Sequence, residues 1–414
     1  MPQEVFIGSR SAANDLTLGK NKIPYVRTSS GAEGYIDLKT RKYHLGTKED
    51  LRQWVRLVDS LEHVHICGGH YPIDAPMHTR DVLTVKTILE NTVKQVFVNP
   101  YDLDTFKAMV EMAVLIQGGK KELRKSPLIS ILTSVTAPTD ILNYCVDIIF
   151  YAGEYGIPVE INSAPLMGGT GPVTIAGVVL QNNLEIISLA VISQIANPGA
   201  PLLHRGITMF MDMSSGAGLI GTVECGLAQA VTSQIVQKKY NFPVVNYGPI
   251  SDAKLPDSQC QIERTVQTLL AGMTGSHLLL AAGFIEALYS VDPIQLVIDN
   301  EIIGMLYRIL RGVTVDEATL AKELIKNTLP GDNYLTQQHT LEHFRNEHHI
   351  PKCFYRKPRT DWVREGAKDM NQLARERAVH LLDSYKREPL APTVLSELDA
   401  IYQSITDKKQ DASH

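Results

Sequence analysis

The chain has 414 residues, 44% of them apolar and 21% charged, with 40 basic against 45 acidic side chains for a formal net charge of −5. A composition this close to the globular average excludes wholesale disorder, and the acidic balance argues against a nucleic-acid groove or a basic membrane-binding face. No run approaches 18 consecutive apolar residues and no basic-then-apolar leader opens the chain; with five scattered cysteines and no CxxC, a cytoplasmic protein with reduced thiols and no membrane span is expected.

Residues 1–46 are polar and turn-rich, with Gly8-Ser9, Asn14-Asp15 and Ser29-Ser30-Gly31, and read as an N-terminal arm or short hairpins. Thr47 followed by Glu49 and Asp50 carries helix-start signals, and Leu51, Val55, Val58 and Leu61 fall at helical spacing. From there short apolar runs recur: His63–Cys67, Gln95–Val98, Leu128–Val135, Pro158–Asn162, Leu202–Thr208, Val244–Tyr247 and His277–Ala282. Longer segments lie between most of them, such as Leu103–Ile116, Asp140–Tyr155, Pro172–Ile195 and Ser258–Gly272. Strands buried on both faces read as continuous apolar runs, and their alternation with helices means βαβ units.

Seven such strands, with an eighth expected near Asn333–Leu335 after a helix over Ile294–Leu310, predict an α/β fold of the TIM-barrel type over residues 47–335. A doubly wound sheet is the alternative; no GxGxxG follows the first strand, and Gly168-Gly169-Thr170-Gly171 lacks the P-loop lysine. Residues 336–414 turn charged and aromatic and read as a C-terminal helical extension packed on the barrel, with Asp407–His414 fraying.

In a barrel the working residues come from strand C-termini and the loops that follow. That rule nominates Asn162 to Thr170, His204, Arg205, Tyr247, the loop through Asp257, His277 to Phe284, and Ser134 with Thr136. The two histidines also fit plain core positions, and Gly168-Gly169 also fits a tight turn before Pro172. A guanidinium within a strand, as at Arg205, requires an anionic partner, either a ligand carboxylate or a structural acid. Tyr25, Tyr71, Tyr247 and Phe284 are aromatic residues of the kind that hold a quaternary ammonium by cation–π attraction, although most aromatics fill cores. His339-Thr-Leu-Glu-His343 matches the HxxEH string of inverted zinc peptidases, but it lies in a polar stretch with a cap at Thr336 and an apolar Phe344, and no metal is assigned to it.

Several longer stretches carry a resemblance. Glu154–Thr174 (EYGIPVEINSAPLMGGTGPVT), Met211–Gly216 (MDMSSG), Ser251–Asp257 (SDAKLPD), Leu296–Glu301 (LVIDNE), His339–Phe344 (HTLEHF) and Glu376–Ala378 (ERA) occur in that order. Over about Leu16 to Tyr402 the chain resembles the trimethylamine methyltransferase (MttB) superfamily. The resemblance implies a TIM barrel that moves a methyl group from a methylated amine to the Co(I) of a cognate corrinoid protein. That corrinoid is the methyl acceptor, so no permanently bound cofactor is expected; a homo-oligomer is. Family members usually carry a further N-terminal helical stretch ahead of the segment matching Leu16. The founding members also carry pyrrolysine, whereas this chain has only standard residues, with Lys254 in the neighbourhood where that loop is expected.

The missing pyrrolysine points to chemistry. A neutral tertiary amine is a poor leaving group, whereas a quaternary ammonium departs as a neutral amine and needs only orientation and desolvation. The resemblance therefore implies a quaternary amine such as glycine betaine, with no catalytic acid or base assigned. Tyr25, Tyr247 and Phe284 would contact the ammonium, and Asn162, His204, Arg205 and His277 the polar end. Gly168, Gly169, Thr170 and Gly171 would form a corrinoid-facing loop. A tertiary or secondary methylamine is the alternative substrate; a metallohydrolase or a non-catalytic ligand-binding barrel are the rival classes.

Overall fold

Eight short apolar strands, each followed by a helix, form the body of the molecule, which a computed structural model describes over residues 2–387 and 389–411. The strands are β1 (Tyr25–Val26), β2 (Ile66–Cys67), β3 (Gln95–Val98), β4 (Ile129–Val135), β5 (Val159–Ser163), β6 (Leu202–Gly206), β7 (Val245–Tyr247) and β8 (Leu278–Leu280). The helices following them are α1 (Lys48–Ser60), α2 (Arg80–Asn91), α3 (Leu103–Gln117), α4 (Asn143–Tyr155), α5 (Ile175–Ala196), α6 (Val223–Tyr240), α7 (Ser258–Met273) and α8 (Pro293–Arg311). All neighbouring barrel strands run parallel. Single bridges, Arg27 to Ile66 and His204 to Val244, join β1 to β2 and β6 to β7, and β8 pairs with β1. The sheet thus closes on itself as a (β/α)8 TIM barrel.

The closing strand corrects the sequence reading. It is β1, drawn from the segment read as an arm, and Asn333–Leu335 forms a turn instead. The barrel therefore spans residues 25–311, not 47–335. Two residues of strand between Pro24 and the buried Arg27 carry too little periodicity to be seen, yet the backbone is fixed from both sides: Tyr25 N donates to His277 O and Arg27 N to Leu279 O.

Helix starts follow local chemistry. Thr47 and Asp50 form a reciprocal capping box at α1, and Thr174, Thr222 and Asp257 cap α5, α6 and α7 through their side chains. Helix α5 is long and apolar enough to cross a membrane by length and composition alone, although it contains no unbroken run of 18 apolar residues. Here it is a barrel helix: Asn182, which interrupts its apolar run, is buried and donates to Ser163 O and Ile207 O at 2.8 and 2.9 Å.

Two small sheets stand on the C-terminal rim. Strands Phe284–Ile285, Ser290–Val291, Gly34–Ile36 and Tyr43–Leu45, from the loops after β8 and β1, form one. Leu166–Met167, Met209–Met211 and Gly218–Leu219, from the loops after β5 and β6, form the other. Beyond α8 the longer helices are α9 (Gln338–Glu347), α10 (Met370–Asp383) and α11 (Pro392–Asp411), with short helical turns at Glu317–Leu320, Lys322–Asn327 and Arg359–Arg364. Helix α10 packs on α8 and α1, and α11 on α2 and α3, where Lys409 pairs with Asp102 at 2.5 Å. Helix α9 starts after Gln337 with no side-chain cap, so Thr336 does not serve as one. The last helix continues to Asp411 instead of fraying from Asp407; residues 412–414 lie outside the described part.

Candidate active site

The interior of the barrel is charged near its C-terminal end. Glu160 on β5 receives two hydrogen bonds from Arg27, at the end of β1: Nε to Oε1 at 2.9 Å and Nη2 to Oε2 at 2.6 Å. The Arg27 guanidinium also lies 3.5 Å from the centroid of the Phe97 ring on β3. Arg205 on β6 approaches the same carboxylate, its Nε 3.8 Å from Glu160 Oε2, and its charge also acts on the Tyr247 hydroxyl at the end of β7. Burial pulls the Arg27 pKa down to about 10 against the pull of Glu160, and pushes the Tyr247 hydroxyl up.

The cluster holds two guanidiniums and one carboxylate, so one positive charge is in excess. The charged or ionisable groups that act most strongly on Arg27 are Glu160, Arg205 and Tyr247. Arg205 is only 4% exposed, and its Nε has no hydrogen-bond partner among the described residues. On the neighbouring strand Asn162 donates to Ser134 Oγ at 2.5 Å, while its Oδ1, equally buried, is unpartnered. Strand register places Ser134, Asn162 and Arg205 side by side. The result is a buried donor and a buried acceptor without partners, in a positively charged setting. Such groups are costly to leave unpaired: an anionic ligand satisfies the Arg205 donor, whereas Asn162 Oδ1 calls for an O–H or N–H donor such as water.

A cleft of about 460 Å³, lined by none of the cluster's residues, lies on the rim between the two small sheets, with Tyr43, Leu219, Asp252, Lys254, Glu286 and Tyr289 among its walls. Asp252 accepts from the amides of Ile220 and Gly221, and burial raises its carboxyl pKa. Lys254 Nζ donates to Asp252 O at 2.8 Å, and Ser290 to the Glu286 carboxylate at 2.6 Å. Glu286, Ala287 and Leu288 hold φ of 52°, 52° and 80°, three successive left-handed non-glycine residues. Each costs on the order of 1–2 kcal/mol, and strain of this kind collects at functional sites.

The structure brings together only part of the residue set read from the sequence. Asn162, Arg205 and Tyr247 converge, and the Gly168–Gly171 turn sits on the rim next to the strand Leu166–Met167, where Gly168 adopts φ 86°. Tyr25 and His277 stand at the opposite, N-terminal end of the barrel, where Tyr25 packs edge-on against His65 at 5.2 Å and His277 Nδ1 accepts from Val244 N. His204 points away from the interior, toward Phe242, as alternation with Arg205 along β6 dictates; burial lowers its pKa to about 3. Phe284 is fully buried, edge-on to Trp54 at 5.8 Å. The aromatic set Tyr25, Tyr247 and Phe284 is therefore not a cage. Tyr71 is likewise occupied, its hydroxyl donating to Asn99 O.

Arg27 and Glu160 were missed as site residues, although a glutamate within the run Pro158–Asn162 is the same signal that singled out Arg205. The structural acid nearest Arg205 is Glu160, whose carboxylate is already taken by two hydrogen bonds from Arg27. His339 and His343 stack with ring centroids 4.4 Å apart while Glu342 accepts from Gln338, and no group of three or more His, Cys, Asp or Glu able to hold a metal occurs among the described residues.

Comparison with known proteins shows the family. Residues 1–411 match the family model described as trimethylamine methyltransferase (MTTB). A trimethylamine methyltransferase MttB of Desulfitobacterium hafniense is 30% identical over 408 residues, 98% of this chain and 82% of that protein. A glycine betaine methyltransferase of the same species is 27% identical over 404 residues, 96% and 83% of the two chains. The chain spans a smaller share, 58%, of the Methanosarcina thermophila MttB, at 32% identity over 68% of its own length. The solved structure of Methanosarcina barkeri monomethylamine methyltransferase (MtmB) is 12% identical and covers 93% of this chain and 78% of that one, with a TM-score of 0.49. On its full-length match, this chain belongs to the trimethylamine methyltransferase (MTTB) family of methyl-transferring enzymes.

Proposed function

We propose that the chain transfers a methyl group from a quaternary, trimethylammonium-type amine such as glycine betaine to the Co(I) of a cognate corrinoid protein. The observation that carries this reading is the excess buried positive charge at Arg205, whose Nε has no hydrogen-bond partner among the described residues. A betaine supplies the missing anion: its carboxylate accepts from Arg205, a charge-assisted hydrogen bond in a water-poor setting. With the carboxylate held there, the trimethylammonium end projects toward the rim, where Asp252 and Glu286 offer negative charge and Tyr43 and Tyr289 offer ring faces. The relative named glycine betaine methyltransferase supports the same substrate class.

The corrinoid is a co-substrate that supplies a strongly nucleophilic metal centre. In the transfer the C–N bond breaks, its electron pair stays on nitrogen, and a neutral dimethylated amine departs. No proton moves, so the residues of this chain have to bind, orient and desolvate. Tyr247 and Glu160 flank Arg205, and the Gly168–Gly171 turn offers a rim without bulky side chains toward the incoming corrinoid protein. Five free cysteines, all buried, suit a cytoplasmic setting.

The test is a spectral assay with reduced cob(I)alamin or a corrinoid partner and a panel of methylated amines. Methylated cobalamin is expected to form with glycine betaine or a related betaine. Turnover of trimethylamine alone would hand the site to the tertiary-amine reading that the name of the other Desulfitobacterium relative favours.

A further inference from the structure

We propose that Arg264 and Asp299 are positioning residues that set the shape of the rim cleft, and through it the hold on the ammonium end of the substrate; the identity of that ligand rests on the reading above. The cleft is walled by two loops: residues 248–257 after β7 bring Asp252 and Lys254, and residues 281–292 after β8 bring Glu286 and Tyr289. Arg264 on α7 and Asp299 on α8 form a fully buried ion pair, Nη1 to Oδ2 at 2.7 Å. Most of the pair's remaining bonds go to the backbone of these two loops. Arg264 Nη1 donates to Pro249 O at 2.6 Å and Nη2 to Phe284 O, while Asp299 Oδ2 accepts from Gly283 N at 2.6 Å. One guanidinium thus grips the first loop with one nitrogen and the second with the other. Gln295 Nε2 on Asp299 Oδ1 and Cys260 Sγ on Arg264 Nε, at 2.8 and 3.1 Å, keep both side chains from turning away.

Stability alone does not call for such a pair. Two buried charges recover little more than their desolvation costs, and apolar side chains of equal volume serve a core as well or better. What apolar side chains cannot do is bind Pro249 O, Gly283 N and Phe284 O in fixed relation. The second loop requires that fixing, because Glu286, Ala287 and Leu288 all hold left-handed φ just beyond Phe284, and strained backbone persists only where its surroundings over-determine it. Further along, the loops are tied by Glu286 N to Ala253 O at 3.0 Å and Ala287 N to Ser251 O at 3.1 Å. Those two bonds bracket Asp252, so the Asp252 and Glu286 carboxylates keep their spacing only while both loops stay anchored. Such carboxylates attract the ammonium before transfer and lose that attraction as the C–N bond breaks and nitrogen becomes neutral. They act on the binding of substrate, not on the chemical step.

Arg264→Lys tests this, since lysine keeps the charge opposite Asp299 but has one nitrogen where Arg264 uses two for the loops. Steady-state kinetics with glycine betaine and cob(I)alamin are read beside the rate of trypsin cleavage at Lys254, an exposed lysine of the first loop. In the variant, KM is expected to rise at least about tenfold with kcat within about twofold of wild type, and cleavage at Lys254 to quicken at least about fivefold with unchanged circular dichroism. A pair that only holds the fold lowers kcat through loss of folded enzyme and leaves KM where it was; that result overturns the proposal, and so does unchanged cleavage. A wild type that turns over no quaternary amine sinks the substrate reading, and the cleavage rate then decides the clamp alone. Should Arg264→Lys not fold, Asp299→Asn takes its place with the same expectations. Should neither fold, hydrogen exchange of the wild type decides: Gly283 and Glu286 amides that exchange as fast as the amide of exposed Ser215 refute the clamp.

Discussion

Replacing Glu160 by glutamine isolates the charge at the centre of the barrel. The carboxylate makes two hydrogen bonds to Arg27 and stands 3.8 Å from Arg205 Nε, with all three groups nearly or fully buried. Unit charges about 4 Å apart at an effective dielectric of ~20 attract by about 4 kcal/mol. That gain is set against desolvation, which is why Arg27 titrates below its ordinary value, so the intact pair adds little net stability. Removing one partner is different: two guanidiniums are left facing each other with nothing between, a loss of about 3–5 kcal/mol. With an unfolding entropy of ~2.1 cal/mol/K per residue over 414 residues, this lowers Tm by roughly 3–6 °C. Thermal unfolding of Glu160→Gln and of the double variant Arg27→Met/Glu160→Gln checks it. The double variant should recover at least half the loss, because it removes the repulsion along with the pair. A single variant within 1 °C of wild type, or a double variant less stable than the single one, would refute the reasoning.

Arg205→Gln should raise KM for glycine betaine by at least about 30-fold, the loss of one charge-assisted hydrogen bond worth ~2 kcal/mol, and should erase preference for betaines over uncharged-tail quaternary amines such as choline; steady-state kinetics on both reads it. Gly283, at φ 76° and with its Cβ position 2.4 Å from Trp54 Cη2, should not tolerate alanine: a loss of about 2–4 kcal/mol and a Tm drop of roughly 2–5 °C is expected by calorimetry. His204 and His70 are buried neutral with pKa values near 3 and 4, below the unfolded value of about 6.5. The unfolded state therefore binds more protons below pH 6.5, and their contribution is complete above that pH and lost as pH falls toward 4. The slope is about 1.4 kcal/mol per histidine per pH unit, and urea unfolding of His204→Gln between pH 6.5 and 5 should show a shallower fall than wild type.

Seven of the strands and most barrel helices were legible because parallel strands buried on both faces leave unbroken apolar runs, and helices between them carry caps such as Thr47 and Asp257. The closing strand was not, since Tyr25–Val26 lies in a polar, turn-rich stretch with no apolar run around it and its place is fixed by partners more than 250 positions away. Arg205 announced itself as a charge within a strand, and Asn162 and Tyr247 lay where strands end. What the residue list could not convey was which end of a strand, or which face, each side chain takes. His277 begins its strand run and Phe284 turns inward after a left-handed Gly283, while His204 and Arg205 are adjacent in sequence and opposed in direction. The rim cleft was invisible for a related reason: Tyr43, Asp252 and Glu286 come from three separate loops with no common motif.

The position of β1 between β8 and β2 also bears on how the chain is made. The first barrel strand emerges from the ribosome about 253 residues before the one it must pair with, Val26 against Leu279. At ~5–20 residues per second the nascent sheet waits roughly 10–50 s with both edges open. During synthesis the growing sheet exposes unpaired backbone, and ring closure ties the rate of folding to the slowest, most distant pairing in the molecule.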